Sequence, residues 1–376
     1  MGLRTMLGLK RPRVKPVWTP PNPDTAKFDV EQSGNTLRIY SEDFHAQFVV
    51  SGIDLPADAD GNFAVWHLLP FAMRRGFDLR INRPLDPFVI ANAERFSRVW
   101  EMWAPELFQA VRVSGRGTWR RPPRKRKPAI SLYSGGVDST FMLTNRGRLK
   151  ERGNVLTVHG ADYGPKDRTG FSTLIARTDQ LLESLNYDRI TIWSDNRAQS
   201  WVITYGCGLA SSVFLLSDLF EIGIIGADYT PEQDMAVVPM GSNHITNPLL
   251  AGSDFSLQTD CTEVLRSQKV KHLAGNPTAL QALSFCIDKS VHPDNCGVCR
   301  KCVRTKAMFL ASTGACPDIF RDQTLTADHL RSVDLTIRSE FACFCDLYNC
   351  AVDNGTLHLV PGLEQRRVEH LAAVRT

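Results

Sequence analysis

From Pro128 onward, the chain alternates between short apolar runs and longer segments whose apolar residues recur at helical spacing. The clearest apolar runs are residues 129–133, 155–159, 189–193 and 221–227. Short apolar strands separated by amphipathic helices are typical of a parallel sheet that is covered by helices on both faces. The sequence therefore predicts an α/β domain, and we expect ligands beyond the carboxyl ends of its strands.

The rest of the chain divides into segments of different composition. Its 376 residues exceed one ordinary domain, so we expect two compact units. Residues 25–118 predict an N-terminal α+β domain, with a hairpin around Gly34-Asn35 and helices over residues 63–75 and 87–110. We expect the following boundaries for the other segments: a basic extended arm at 1–24, a basic linker at 119–127, the α/β domain at 128–285, a metal knuckle at 286–310 and a helical extension at 311–376.

Charge and hydropathy restrict the partners that can be inferred. The formal net charge is +4, and this excess of basic residues is too small to indicate a nucleic-acid partner by itself. The basic linker is either a solvated connection or a contact for phosphate or nucleic acid. The longest apolar stretch, residues 210–227, is interrupted by Asp218 and Glu221, so no membrane span is predicted. The N-terminus lacks an apolar signal segment, and we expect a cytoplasmic protein.

A glycine-rich turn follows the first strand of the α/β region. It reads Ser134-Gly135-Gly136-Val137-Asp138-Ser139-Thr140, and a helical pattern begins at once. The two glycines allow a tight turn close to an anion, and the helix-start N–H groups and the hydroxyls can surround a phosphate. Asp138 can help to hold magnesium. The string differs from the Walker and dinucleotide-binding patterns, and its simpler interpretation is an ordinary glycine turn.

Four cysteines near the C-terminus have the spacing of a metal knuckle. Cys286, Cys296, Cys299 and Cys302 follow C-x9-C-x2-C-x2-C. Four thiolates satisfy a tetrahedral zinc ion and leave no open position, which predicts a structural zinc site. An iron–sulfur cluster, free or redox-active cysteines, and His292 in place of Cys286 are the alternatives.

The glycine-rich string resembles the motif of the PP-loop ATP pyrophosphatases. That resemblance implies a HUP or flavodoxin-like domain that uses ATP with Mg²⁺, transfers AMP to a substrate oxygen and releases pyrophosphate. The residues implied in nucleotide binding are Ser134, Gly135, Gly136, Val137, Asp138, Ser139, Thr140, His159 and Gly160.

The order of motifs along residues 128–310 is similar to that of the 7-cyano-7-deazaguanine synthases. After the loop come Asp162-Tyr163-Gly164, Ile225-Gly226-Ala227-Asp228-Tyr229, Asn247-Pro248-Leu249 and the cysteine cluster. The resemblance implies that ATP activates the carboxylate of 7-carboxy-7-deazaguanine or a related heterocycle, and that ammonia or an amine then displaces AMP to give an amide or nitrile. The residues implied or expected to contact this substrate are Asp162, Tyr163, Asp228, Tyr229 and His244.

The N-terminal domain is absent from the compact synthases, which implies a divergent branch. Such branches are known partly from antiviral defence islands, where the deazaguanine chemistry can be directed onto a protein or nucleic acid. The N-terminal domain is then either a docking module for a protein partner or a cover over the active site. We also expect a homodimer.

The catalytic group expected from these considerations is Ser134, Asp138, Ser139, Arg266 and Lys269. Arg266 and Lys269 are three residues apart on a helix-like stretch, so they share a face. They can neutralise the departing pyrophosphate, or they can simply lie on a surface helix. His159 is either an acid–base group or a packed histidine.

Two other functions remain open from the sequence. One is a PP-loop tRNA-modifying enzyme of the thiolation type, in which an exposed Cys-x-x-Cys carries sulfur and the basic linker contacts RNA. The other is a partner-binding protein without enzymatic activity that senses nucleotide.

Overall fold

The computed structural model describes residues 24–117, 119, 125–195 and 204–375. The predicted basic arm, apart from Asp24, lies outside the described residues. The same is true of Arg120, Arg121 and Arg124 of the basic linker.

The described residues form ten strands and twelve α-helices. The strands are β1 (Thr25–Ser33), β2 (Thr36–Ser41), β3 (Phe44–Ser51), β4 (Asp78–Ile81), β5 (Val113–Ser114), β6 (Lys127–Leu132), β7 (Gly153–His159), β8 (Tyr187–Ser194), β9 (Phe220–Gly226) and β10 (Leu257–Asp260). The helices are α1 (Asn62–Arg75), α2 (Pro87–Trp103), α3 (Val137–Arg146), α4 (Arg168–Leu185), α5 (Tyr205–Phe214), α6 (Pro231–Val237), α7 (Arg266–Ala274), α8 (Pro277–Ala282), α9 (Arg300–Thr313), α10 (Ala327–Arg331), α11 (Arg338–Asp353) and α12 (Leu363–Arg375).

All ten strands belong to one sheet, in the order β10-β9-β6-β7-β8-β3-β2-β1-β4-β5. The five strands from β10 to β8 run parallel, β3 joins β8 antiparallel, and β1 to β3 form an antiparallel meander. The predicted α/β architecture, with a mostly parallel sheet flanked by helices, is therefore confirmed.

The N-terminal and α/β segments share both the sheet and an apolar core. Strand β3 pairs with β8 from Phe48 opposite Ser194 to Ser51 opposite Thr191. Helix α1 packs on α5, where the fully buried Trp66 lies 5.9 Å from Phe214 between ring centroids. The two predicted segments are thus joined by strand pairing and side-chain packing, while the boundaries expected at 118 and 128 stay predictions.

Local signals explain where several elements begin and end. The Gly34-Asn35 hairpin is confirmed, and Gly34 has a φ of +56°. Helix α2 begins after Asp86, whose carboxylate accepts the Phe88 N–H at 2.9 Å. It ends at Trp103 and not at residue 110 as predicted, because Pro105 disfavours helical backbone at the residue before it.

The order of the parallel strands fixes the position of the crevice. The connection direction reverses between β6 and β9, which lie side by side. In an open parallel sheet, ligands bind beyond the carboxyl ends of the strands at this reversal. The segments after Leu132 and Gly226 therefore meet at one crevice.

Strand β10 was not predicted, because its four residues carry no apolar run. No helix within the described ranges is long and apolar enough to cross a membrane.

The shared core predicts that the N-terminal segment does not unfold separately. Trp66→Ala should lower the free energy of unfolding by about 3–5 kcal/mol, because it removes a large, fully buried ring between α1 and α5. Urea denaturation followed by circular dichroism should still show one transition. Met102→Ala on exposed α2 surface is the control and should change stability by less than about 0.5 kcal/mol. Two separate transitions in wild-type protein would contradict the shared core.

Candidate active site and metal centre

The glycine-rich turn lies between β6 and α3, at the strand reversal. Gly135 has a φ of +76°, and a Cβ there would lie 3.1 Å from the Leu174 side chain, so this turn requires glycine. Gly136 is the N-cap residue of α3, and no side chain caps the first turn. The N–H groups at the start of α3 are consequently oriented as in a helix-terminus anion site.

The hydroxyls of Ser134 and Ser139 lie together at this helix start. Their Oγ atoms are 3.4 Å apart, and the Gly136 N–H donates to Ser134 Oγ at 3.3 Å. Ser139 Oγ also donates to the Gly136 carbonyl at 3.2 Å. The side chains of Val137 and Thr140 are buried, so of these two residues only the backbone is placed to serve the loop. Of the three hydroxyls expected to surround a phosphate, those of Ser134 and Ser139 lie together at the helix start, whereas the Thr140 hydroxyl is buried.

Asp138 is held by two buried cations from α7. Lys269 Nζ lies 3.1 Å from Asp138 Oδ1 and donates to the Ala227 carbonyl at 2.5 Å, while Arg266 Nη2 contacts Asp138 Oδ2. Burial alone would raise the pKa of Asp138, but Arg266 and Lys269 lower it below its ordinary value. The Lys269 side chain is 1% exposed and that of Arg266 is 13% exposed. Both predicted cations thus face the loop and not bulk solvent.

The magnesium role predicted for Asp138 stays a prediction. Each of its carboxylate oxygens already contacts a cationic side chain, Lys269 on one and Arg266 on the other. The groups placed here to neutralise an anion are therefore the two side-chain cations.

A further pair behind these cations was missed by the sequence analysis. Arg304 on α9 is buried and bonds Glu340 on α11 at 3.1 Å. The Nε atoms of Arg304 and Arg266 are buried and have no hydrogen-bond partner within the described part of the chain. The signal for Arg304 was its position two residues after Cys302, at the start of the helix that the cysteines anchor. Its partner Glu340 is remote in sequence.

The second carboxylate at the crevice is Asp228, just beyond β9. Tyr205 at the start of α5, also missed from the sequence, donates its hydroxyl hydrogen to Asp228 Oδ2. Burial and the nearby charge of Asp138 raise the pKa of Asp228. The neighbouring Tyr229 is buried, at 8% exposure. The two carboxylates at the strand reversal therefore differ in protonation tendency, with Asp138 held ionised and Asp228 shifted toward its neutral form.

The residues at the end of β7, His159 and Gly160, were expected to bind nucleotide, and the structure shows the packing contacts that hold them. The His159 ring stacks on Phe171 with centroids 4.3 Å apart, and its Nε2 lies 3.0 Å from the Gly164 carbonyl. Burial lowers its pKa, and the stacking on Phe171 agrees with the packed-histidine alternative. Gly160 is required by close packing, because a Cβ there would lie 2.1 Å from the Ser194 carbonyl oxygen.

Tyr163 is linked to the glycine-rich turn through one side chain. Its hydroxyl lies 2.9 Å from Ser284 Oγ, and the Ser284 N–H donates to the Gly135 carbonyl at 2.8 Å. Burial raises the pKa of Tyr163 to about 12. Asp162 is exposed, and its carbonyl accepts from Lys289. Tyr163 therefore supports the turn, whereas the Asp162 side chain lies at the surface.

His244 lies in the segment between α6 and the Asn247–Leu249 turn. Its ring Nδ1 and its backbone N–H both contact Oδ2 of the buried Asp234 on α6, the latter at 2.8 Å. Asp234 was not predicted as a site residue. His244 is thus fixed by a carboxylate.

The four cysteines form one compact cluster. All four sulfurs lie within 4.8 Å of one another, with Cys286 and Cys299 at 3.8 Å and Cys296 and Cys302 at 3.9 Å. Zn–S bonds of about 2.3 Å in a tetrahedron place sulfurs about 3.8 Å apart, so the spacing fits a single zinc-sized ion. A multi-iron cluster would hold its ligand sulfurs farther apart than this. His292 Nε2 instead lies 2.7 Å from the Cys286 carbonyl, outside the sulfur set.

The local backbone supports this geometry. Gly297 has a φ of +87°, and a Cβ there would lie 2.1 Å from the Asp322 carbonyl oxygen. The N–H groups of Val298 and Cys299 point at Cys296 Sγ, at 3.4 and 3.2 Å. Backbone N–H groups that donate to a sulfur stabilise its negatively charged thiolate form, which is the form that binds metal. Helix α9 begins directly after Cys299. The cluster therefore anchors the helix that carries Arg304.

Comparison with known proteins gives no independent assignment. No protein-family model, curated protein or solved structure matches this chain. The resemblance to PP-loop enzymes therefore stays a prediction from the motifs.

The cluster predicts that purified protein contains about one zinc ion per chain. Cys299→Ser should lose the zinc and lower the melting temperature, because metal binding contributes folding free energy. Elemental analysis and thermal unfolding measure both effects. Cys345→Ser, at a half-buried cysteine outside the cluster, should keep the metal. Equal zinc content in the two variants would contradict the assignment.

The buried cations predict an anion site that depends on Lys269. Pyrophosphate at saturating concentration should raise the melting temperature of wild-type protein by at least about 2 °C through preferential binding to the folded state. Lys269→Met should remove most of this shift, because it deletes a buried cation at the loop. Lys271→Met is the matched control, since Lys271 is on the same helix but exposed. An unchanged shift in Lys269→Met would exclude this site.

Proposed function

We propose that this protein is an ATP-dependent adenylating enzyme of the PP-loop type, acting on a heterocyclic carboxylate such as 7-carboxy-7-deazaguanine. ATP activates the carboxylate with release of pyrophosphate, and ammonia or another amine then displaces AMP to form an amide. The observation that carries the proposal is the glycine turn at the start of α3, with Arg266 and Lys269 buried against it.

The strand order supports a HUP-type interpretation of the α/β domain. In chain order within the parallel part, the strands are arranged 3-2-1-4-5, as in doubly wound nucleotide-binding sheets and unlike the 2-1-3-4-5 order of flavodoxin. The loop follows the first of these strands and Asp228 follows the fourth. These strands flank the reversal, so a nucleotide in the loop and a substrate at Asp228 would be adjacent.

The charge arrangement supports release of pyrophosphate. A substrate carboxylate oxygen attacks the α-phosphorus of ATP, and the bond from that phosphorus to the bridging oxygen breaks. Pyrophosphate leaves with the electron pair of the broken bond, which stays on the bridging oxygen. Arg266 and Lys269 neutralise this charge, and Asp138 holds both cations in position until the phosphates arrive. A carboxylate alone is a poor electrophile, whereas the acyl adenylate has AMP as its leaving group.

Asp228 and Tyr229 support recognition of a guanine-like substrate. The Asp228 side chain lies at the crevice, fixed by Tyr205, and its oxygens can accept hydrogen bonds from the N–H groups of a deazaguanine edge. Tyr229 adds an aromatic side chain beside it. Amine and acyl adenylate held together here would react faster because they are already oriented.

The structure favours this function over tRNA thiolation. Sulfur transfer requires an accessible Cys-x-x-Cys, but Cys286, Cys296 and Cys302 are buried in the cluster. A nucleotide sensor without activity would not require a second carboxylate beside the loop.

The proposal predicts pyrophosphate, and not phosphate, as the inorganic product. Incubation with ATP, magnesium, 7-carboxy-7-deazaguanine and ammonia should yield AMP, pyrophosphate and an amide or nitrile, identified by mass spectrometry. A mass increase on a protein amine would instead identify a conjugating enzyme. Release of phosphate alone, or none with this and related heterocyclic acids, would contradict the proposal.

Asp138→Asn should reduce pyrophosphate release at least about 100-fold, because Arg266 and Lys269 lose the carboxylate that positions them. It should also lower the free energy of unfolding by about 3 kcal/mol, since two buried cations lose their partner. Asp188→Asn is the matched control, because Asp188 forms an exposed ion pair with Arg152. Comparable activity of the two variants, both folded by circular dichroism, would count against the role of Asp138.

A further inference from the structure

Asp234 and His244 form a carboxylate–imidazole dyad. Asp234 Oδ2 accepts the backbone N–H of His244 at 2.8 Å and contacts ring Nδ1. The Asp234 side chain is 3% exposed, and that of His244 is 24% exposed. A carboxylate that accepts from Nδ1 fixes the proton on that nitrogen, so the lone pair of the neutral ring lies on Nε2. This is the tautomer of a proton acceptor.

Both partners are held by local hydrogen bonds. Helix α6 begins with a capping box between Thr230 and Gln233. The segment after α6 is closed by Asn243, whose Oδ1 accepts the Thr246 N–H at 2.8 Å. Asn247 Oδ1 accepts the Asn243 N–H at 3.1 Å. The dyad is therefore fixed by a capped helix on one side and an amide-bonded turn on the other.

The dyad lies in the chain segment that follows β9, as does Asp228 of the proposed substrate site. Asp234 follows Asp228 through the single turn that starts α6. The backbone of Gly241, three residues before His244, packs on the Tyr205 ring, since a Cβ there would lie 2.4 Å from Cδ1. Tyr205 in turn bonds Asp228. The segment that carries His244 thus contacts the residue that orients Asp228.

Two polar atoms of the dyad lack partners. His244 Nε2 and Asp234 Oδ1 are buried without a hydrogen bond to any described residue. Buried polar atoms of this kind are uncommon in folded proteins and call for an explanation such as a catalytic role. An acceptor nitrogen without a partner, such as His244 Nε2, can accept a hydrogen bond from an N–H group of a ligand.

We propose that the Asp234–His244 dyad accepts the proton from the amine that attacks the acyl adenylate. This inference rests on the proposed function and assigns its second step. The amine nitrogen forms a bond to the acyl carbon, the bond from that carbon to the AMP oxygen breaks, and AMP leaves with that electron pair. The nitrogen loses one proton to His244 Nε2. The resulting imidazolium is stabilised by the carboxylate of Asp234.

The charged groups around the dyad favour this proton transfer. Asp234 and the exposed Glu232 face His244 from α6. Arg338 of α11 donates to the carbonyl of Val238 at the end of α6, and it thereby contacts the segment that leads to His244. Asp234 contacts the ring that becomes cationic, and Glu232 interacts with it electrostatically.

The test separates the two steps in the full-length protein. Exchange of labelled pyrophosphate into ATP with 7-carboxy-7-deazaguanine reports adenylation without an amine, and amide formation with ammonia reports the second step. His244→Asn should reduce amide formation at least about 100-fold, while exchange falls by no more than about tenfold. Hydroxylamine, a nucleophile that is unprotonated at neutral pH, should largely restore product.

Controls distinguish the possible failures. His358→Asn, at an exposed histidine in the C-terminal extension, should match wild type in both assays. Asp234→Asn provides a second variant and should lower amide formation while exchange continues. No exchange in wild type with any heterocyclic acid would defeat the proposed function itself. Normal exchange with undiminished amide formation in His244→Asn, or equal loss of both steps in it, would overturn the role of the dyad.

Discussion

The structure of the site depends on the buried ion pairs between Asp138 at the start of α3 and the two cations of α7. Taking Lys269 out of water is costly, and only a partner with matching geometry compensates that cost. Asp138 is that partner, and Lys269 is further held by the Ala227 carbonyl at the end of β9. One carboxylate thereby connects the glycine turn, the adjacent strand and a helix that is distant in sequence.

The cysteine cluster extends this arrangement across the C-terminal region. Because α9 begins directly after Cys299, the position of the cluster fixes the start of the helix that places Arg304 against Glu340. Lys306 on the same helix donates to the carbonyls of Asp322 and Thr324 at 2.6 and 2.7 Å. A metal at the four sulfurs would therefore contribute to the site by positioning α9.

Local patterns predicted most of the fold, whereas long-range contacts were out of reach. The Gly34-Asn35 hairpin, the parallel strands and the spacing of Cys296, Cys299 and Cys302 are encoded over a few residues, so the sequence alone indicated them. The pairing of β3 with β8 joins residues far apart in sequence and could not be inferred from composition. At the site, the sequence predicted Asp138 and its two cations separately but not that they would contact one another. Tyr205 and Asp234 carried no recognisable motif, and the only sequence signal for Arg304 was its nearness to Cys302, so all three were found from their contacts.

The central claim is that Arg266 and Lys269 are held by Asp138 in order to receive the phosphates of a nucleotide. It is tested most directly by a crystal structure of the protein with a non-hydrolysable ATP analogue. The account predicts the terminal phosphates at the turn formed by Gly135 and Gly136, with Lys269 and Arg266 moved from Asp138 onto phosphate oxygens. A nucleotide bound elsewhere, with both ion pairs of Asp138 unchanged, would contradict it.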